Sequence, residues 1–171
     1  MNSGKDMSMV DTVHLVDTLP DMLSTQLLAS DTYATFLKVS SGHEQELWRT
    51  MLMHELAHIR FVGMLMDDQN VPDVALPKIR MDAYRELCER ARTYAVESAF
   101  ERTLWALRVE HAQIDFGVEA LAVRQVGQSL DTPVYPGPVE DHYSELLSWA
   151  ERYRAAREIA VQIARIEEHL P

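Results

Sequence analysis

Two histidines and a glutamate fall within five consecutive residues, His54-Glu55-Leu56-Ala57-His58, and their spacing supports two kinds of metal chemistry. On a helix, His54 and His58 lie one turn apart and can grip one zinc ion while Glu55 activates a bound water, the arrangement of a zinc hydrolase. The same stretch taken as Glu55-x-x-His58 offers a carboxylate and an imidazole on one helix face, turned toward the interior of a bundle. The hydrolase reading needs a third ligand, for which Glu97, Glu101 and Glu110 are merely available. It also needs a sheet edge to hold substrate, and no alternating strand pattern occurs in the chain.

A second acid occupies a matching context. Glu110-His111-Ala112-Gln113-Ile114-Asp115-Phe116 lies over Glu55-Leu56-Ala57-His58-Ile59-Arg60-Phe61, and upstream Asp82-Ala83-Tyr84 echoes Asp31-Thr32-Tyr33. Both glutamates fall inside apolar stripes, Glu55 between Met51 and Val62 and Glu110 between Leu107 and Ile114. A buried carboxylate is costly unless paired, protonated or bound to a cation. Two of them facing each other repel, and a divalent metal resolves that conflict. The metal-free alternative pairs each acid with Arg49, Arg60, Arg108 or a histidine.

The elements that must position these groups are helical. Pro20 and Asp21 suit a helix start, and apolar residues recur from Leu23 to Leu37 before the break at Ser40-Ser41-Gly42. A second helix is expected over 44–66, a proline-bearing connection over 67–77, a third helix from about Lys78 and a fourth over 99–126. As one helix, residues 78–127 would span about 75 Å, too long for a domain of this size; a turn is expected near Thr93-Tyr94-Ala95-Val96, where β-branched and aromatic residues weaken helix propensity. Gly127 to Pro138 is a long break, followed by a last helix. The fold class is therefore all-α. Residues 1–19 form an arm, 20–128 a bundle with a pseudo-repeat, and 139–170 a C-terminal helix that packs on the bundle or on a partner subunit.

With these elements the chain resembles the ferritin-like superfamily, rubrerythrin-type bundles in particular. The matching features are Glu55-x-x-His58, the echo at Glu110, the Ser-Ser-Gly turn and the proline-bearing connection between hairpins. The resemblance implies a ferritin-like four-helix bundle with an additional C-terminal helix. Its site takes one Glu from each of two helices and Glu-x-x-His from each of the other two. Glu55, His58 and Glu110 match that pattern; Gln113 stands where a second His is expected, with His111 beside Glu110 as a substitute. Asp31 and Asp82 are the acids offered by helices one and three. The implied cofactor is iron, two ions per chain, with manganese or zinc as replacements. The implied activity is an oxidoreductase that activates oxygen or peroxide. Two further readings stand beside it: a metal-free degenerate bundle acting as a binding or interaction protein, and a zinc hydrolase using His54 and His58.

Bulk properties bound the partners. The 171 residues carry 27 acidic and 16 basic side chains, a formal charge of −11, so neither a nucleic-acid nor an anionic-membrane surface is expected. Cys88 is the one cysteine, which excludes an internal disulfide and suggests a reducing, cytoplasmic setting. No apolar stretch reaches spanning length. His14, His43, His142 and His169 are expected on the surface, and Trp48, Phe61 and the methionines Met51, Met53, Met64 and Met66 in an apolar cluster. The long last helix, about 45 Å at 1.5 Å per residue, suggests a homodimer.

Overall fold

The computed structural model describes residues 12–68, 71, 75–116, 142 and 144–156. Its elements are β1 (Thr12–His14), α1 (Leu15–Val39), α2 (His43–Asp67), β2 (Ala75–Pro77), α3 (Met81–Thr93) and α4 (Ala99–Phe116), with a 3-10 turn at Tyr94–Val96 between α3 and α4. Helical residues 144–156, with His142 just before them, form α5. The architecture is an all-α bundle of α1 to α4 with α5 as an extra helix. The rest of the expected fourth and last helices, and the Gly127–Pro138 break, lie outside the described residues.

Helix α1 begins at Leu15, five residues before the expected proline start, and holds Pro20 inside its second turn. Burial explains the difference. Leu15, Leu19 and Met22 form one stripe that packs with Val62 and Leu65 of α2 and with Leu76 and Ile79, and this apolar contact outweighs the one backbone hydrogen bond that proline removes. Two short strands are also present where none were expected. Thr12–His14 pairs antiparallel with Ala75–Pro77, three residues each, too short to leave an alternating signature.

Gly42 makes the reversal between α1 and α2. It adopts φ 60° and ψ −137°, a conformation that side chains with a Cβ avoid. The turn between α3 and α4 falls where the sequence places it, at Tyr94–Val96. Helix α4 then starts with a capping sequence: Ser98 Oγ accepts the Glu101 backbone N–H at 3.3 Å, satisfying one of the free donors at the helix start.

Two apolar clusters hold the bundle. The larger one joins Tyr33 and Phe36 of α1, Trp48 and Met51 of α2, Tyr84 and Cys88 of α3, Val109 of α4 and Leu146 of α5. Met53, Met64 and Met66 point to solvent instead, because they lie off the inward stripe of α2. That stripe runs Glu44, Trp48, Met51, Glu55, His58, Val62, Leu65, all buried, at alternating spacings of three and four residues. It carries polar side chains at its middle, where the two clusters meet. No helix among the described residues is long and apolar enough to cross a membrane.

Candidate metal centre

Glu55 and His58 occupy consecutive positions of the inward stripe of α2, so both side chains enter the bundle and both are fully buried. His142, at the start of α5, enters from the other side. One ligand atom from each of Glu55, His58 and His142 lies within 4.8 Å of the others. Glu110 of α4, also fully buried, completes the surroundings. His142 Nδ1 stands 3.7 Å from Glu55 Oε1 and 3.6 Å from Glu110 Oε2.

These distances exceed a hydrogen bond. They are close to the edge of a coordination tetrahedron, about 3.4 Å for ligand bonds of about 2.1 Å. Glu110 Oε2 and both ring nitrogens of His142 are buried without a hydrogen-bond partner among the described residues, an expensive condition for a metal-free core. Two imidazoles and one or two carboxylates are donors that zinc, iron and manganese all accept. The residues therefore fit a metal ion.

The surrounding shell orients these donors. Tyr33 of α1 donates its hydroxyl to Glu110 Oε1. Burial, with the negative charges of Glu110 and Glu55 added, holds the Tyr33 hydroxyl well above the ordinary tyrosine range, so it keeps its proton at neutral pH. His58 Nδ1 meets Gln26 Oε1 at 3.3 Å, Gln26 Nε2 donates to Gln113 Oε1 at 3.4 Å, and Gln113 Nε2 donates to Tyr84 Oη at 2.7 Å. The His142 ring stacks on two histidines of α2, 4.6 Å from His54 and 5.1 Å from His58 between ring centroids.

Not every expected site residue joins this cluster. Asp31 and Asp82 are exposed, and Asp82 lies 3.6 Å from Arg85 at the surface. The echo supplies the reason. Residues two apart on a helix point about 200° apart, and it is the tyrosines Tyr33 and Tyr84 of each Asp-x-Tyr that are buried. His111 is exposed and Gln113 buried, since Gln113, three residues after Glu110, shares its face. His54 is half-buried beside the cluster and is not one of the three grouped donors.

Two contributors were missed. His142, expected at the surface, is buried; its spacing to Leu146 and Ala150, both buried, is the signal that puts it on an inward stripe. Gln26 lies between Met22 and Ala29 on the buried face of α1, a polar residue in an apolar row. His14 and His43 are exposed as expected, and His169 lies outside the described residues.

Compared with protein-family models, curated proteins and solved structures, the chain finds no significant match. The architecture and the buried triad agree with a ferritin-like type of bundle in general, and the rubrerythrin likeness stays a resemblance carried by the motif.

Proposed function

We propose that this protein is a metal-dependent oxidoreductase of ferritin-like type that activates oxygen or peroxide at the buried cluster of Glu55, His58 and His142. The observation that carries the reading is the convergence of one carboxylate and two imidazoles, all buried, within 4.8 Å. Two His and one carboxylate around an open position are the donor set of non-haem iron oxygenases, although zinc accepts a similar set. An iron ion held there would supply the one-electron steps by which dioxygen or peroxide is reduced.

The chain's own residues bind, orient and exclude water. Glu55, His58 and His142 hold the ion, and Glu110 offers Oε2 toward the same space. Tyr33 Oη directs its proton at Glu110 Oε1 and so fixes which oxygen of that carboxylate is left to face His142. Phe36, Trp48, Met51 and Leu146, all buried, supply an apolar wall around the polar cluster, which strengthens its electrostatics.

The test is the metal content of untagged protein grown with iron, manganese and zinc, wild type beside Glu55→Ala, followed by oxygen and peroxide consumption by the ferrous protein. Iron in the wild type, lost in the variant, with consumption that follows the iron, is the expected result. Zinc alone, with no redox turnover, would overturn the oxidoreductase.

A metal-free binding or interaction bundle is the second reading, favoured by the placement of His142 Nδ1 near both carboxylates, where a protonated imidazole would balance part of their charge. No metal in either protein would make it the working model.

A further inference from the structure

Helix α2 carries a second stripe, on the side away from the metal centre. Met53, Leu56 and Met64 are 63, 42 and 52 % exposed, and Arg49, Arg60 and Asp67 are exposed with them. In order they run Arg49, Met53, Leu56, Arg60, Met64, Asp67, at spacings of three and four residues, so they share one helix face. Apolar side chains aligned on an outer face gain nothing from water and mark a surface that meets something.

Gly63 borders that face. Its φ is not positive, so a residue with a Cβ would fit the backbone there, and glycine only weakens the helix. A Cβ at Gly63 would meet nothing within 4 Å. Packing among the described residues therefore does not call for a glycine either. Its remaining physical use is to let a group from outside approach the helix closely.

The charges on the face select a second copy of the chain. Two α2 helices laid antiparallel, with a two-fold axis at the level of His58, bring Arg49 of one opposite Asp67 of the other. Met53 then comes opposite Met64, and Leu56 meets the aliphatic stem of Arg60, beside the gap at Gly63. Each end of the contact holds an opposite-charge pair and the middle is apolar, the self-complementarity that a two-fold interface requires. Parallel pairing would set Arg49 against Arg49 and Arg60 against Arg60. Within one chain the charge pair is out of reach: Asp67 lies 18 positions after Arg49, about 27 Å along the helix.

We propose that the outer face of α2 is a self-docking surface on which two copies pair antiparallel, Arg49 on Asp67 and Met53 on Met64, closing at Gly63. The proposal is independent of the metal reading and uses an element other than the C-terminal helix. A contact of this extent lies at the small end of specific interfaces, so the dimer forms and parts with concentration.

Sedimentation velocity of the full-length protein from about 1 to about 300 µM reads the association. Monomer at the low end and dimer at the high end are expected. Gly63→Gln, whose side chain has room in the single chain, is expected to weaken the dimer more than about 10-fold. Its far-UV circular dichroism should be unchanged and its thermal midpoint no lower than that of wild type. Arg49→Glu is expected to weaken the dimer about 3- to 10-fold, and adding Asp67→Arg to restore it. Oxidation of the double variant Met53→Cys, Met64→Cys reads the register. Those positions are 11 apart, about 16 Å along the helix, too far to bridge within a chain. A covalent dimer is expected from the double variant, and none from either single variant or from wild type, whose Cys88 is buried.

A monomer at about 300 µM overturns the proposal, whatever else then covers the face. Growth beyond a dimer overturns it as well, since a two-fold contact closes on itself. A dimer unchanged in both Gly63→Gln and Arg49→Glu places the association on another surface. A wild-type dimer with no cross-link in the double-cysteine variant, or no recovery on charge reversal, overturns the antiparallel register.

Discussion

Tyr33 and Glu110, 77 positions apart in the chain, are joined by a hydrogen bond in which the α1 phenol donates to the α4 carboxylate. Both side chains are fully buried. The bond ties the first helix of the bundle to the last and holds the carboxylate in one orientation. Removing only the hydroxyl, in Tyr33→Phe, is expected to destabilise the apoprotein by about 2 kcal/mol, the scale of a hydrogen bond to a charged group. Urea denaturation of metal-stripped protein measures it. A loss below about 0.5 kcal/mol would mean that Glu110 finds another donor.

His54 and His58 of α2 should behave differently. His58 is on the inward stripe and among the grouped donors, while His54 stacks on His142 from a half-buried position. His58→Ala is expected to weaken zinc binding by more than about 100-fold and His54→Ala by less than about 10-fold, effects of removing a ligand and an outer contact respectively. Competition against a chromophoric chelator reads both. Equal, large losses would bring back the reading in which His54 and His58 grip zinc together.

A different buried charge supports the fold away from the centre. Glu44 receives Arg102 Nε at 2.6 Å and Nη2 at 2.7 Å, and the Trp48 indole at 2.8 Å. Arg102 Nη1 also donates to Ala95 O at 2.9 Å and to Glu97 O, so one guanidinium clasps the turn between α3 and α4. Arg102→Ala leaves Glu44 buried and is expected to cost about 3–5 kcal/mol, with the metal stoichiometry of the surviving folded protein unchanged. The double variant with Glu44→Gln should recover part of the loss. Additive losses in a double-mutant cycle would refute the coupling.

Cys88 makes the fold sensitive to alkali. Burial pushes its thiol up to about 11 from an ordinary value of 9.0, against smaller opposing contributions from hydrogen bonds to Thr32 and Tyr84. Below pH 9 both folded and unfolded chains keep the proton. Between 9 and 11 only the unfolded chain ionises, so stability falls as pH rises through that window, by about 3 kcal/mol in all. Denaturation midpoints at pH 8 and pH 10.5 should separate more in wild type than in Cys88→Ala. Alkylation of the native thiol at pH 8 should be slow and become stoichiometric on unfolding. Rapid native labelling would show that the thiol is accessible.

Helix content and one half of the centre were legible because they are periodic. The α2 stripe repeats at threes and fours, and it singles out Glu55 and His58 over His54 without any tertiary information. The turn at Tyr94–Val96 was legible from chain length and propensity together. The inner end of the Asp-x-Tyr echo was misassigned, because a search for carboxylates passes over a buried phenol two residues later. His142 stayed hidden for a different reason. A ligand that arrives from a separate helix after a long break has no local pattern to betray it, only its place in the Leu146, Ala150 row. The short β1–β2 pairing was illegible because three residues give no period.

The position of His142 also sets an order of events during synthesis. The ribosome delivers Gln26, Tyr33, Glu55, His58, Tyr84 and Glu110 well before His142. A nascent chain that has emerged only as far as α4 thus has both carboxylates and one of the triad's two imidazoles, but lacks the ring that stacks across His54 and His58. Docking of α5 is therefore the step that completes the triad of Glu55, His58 and His142.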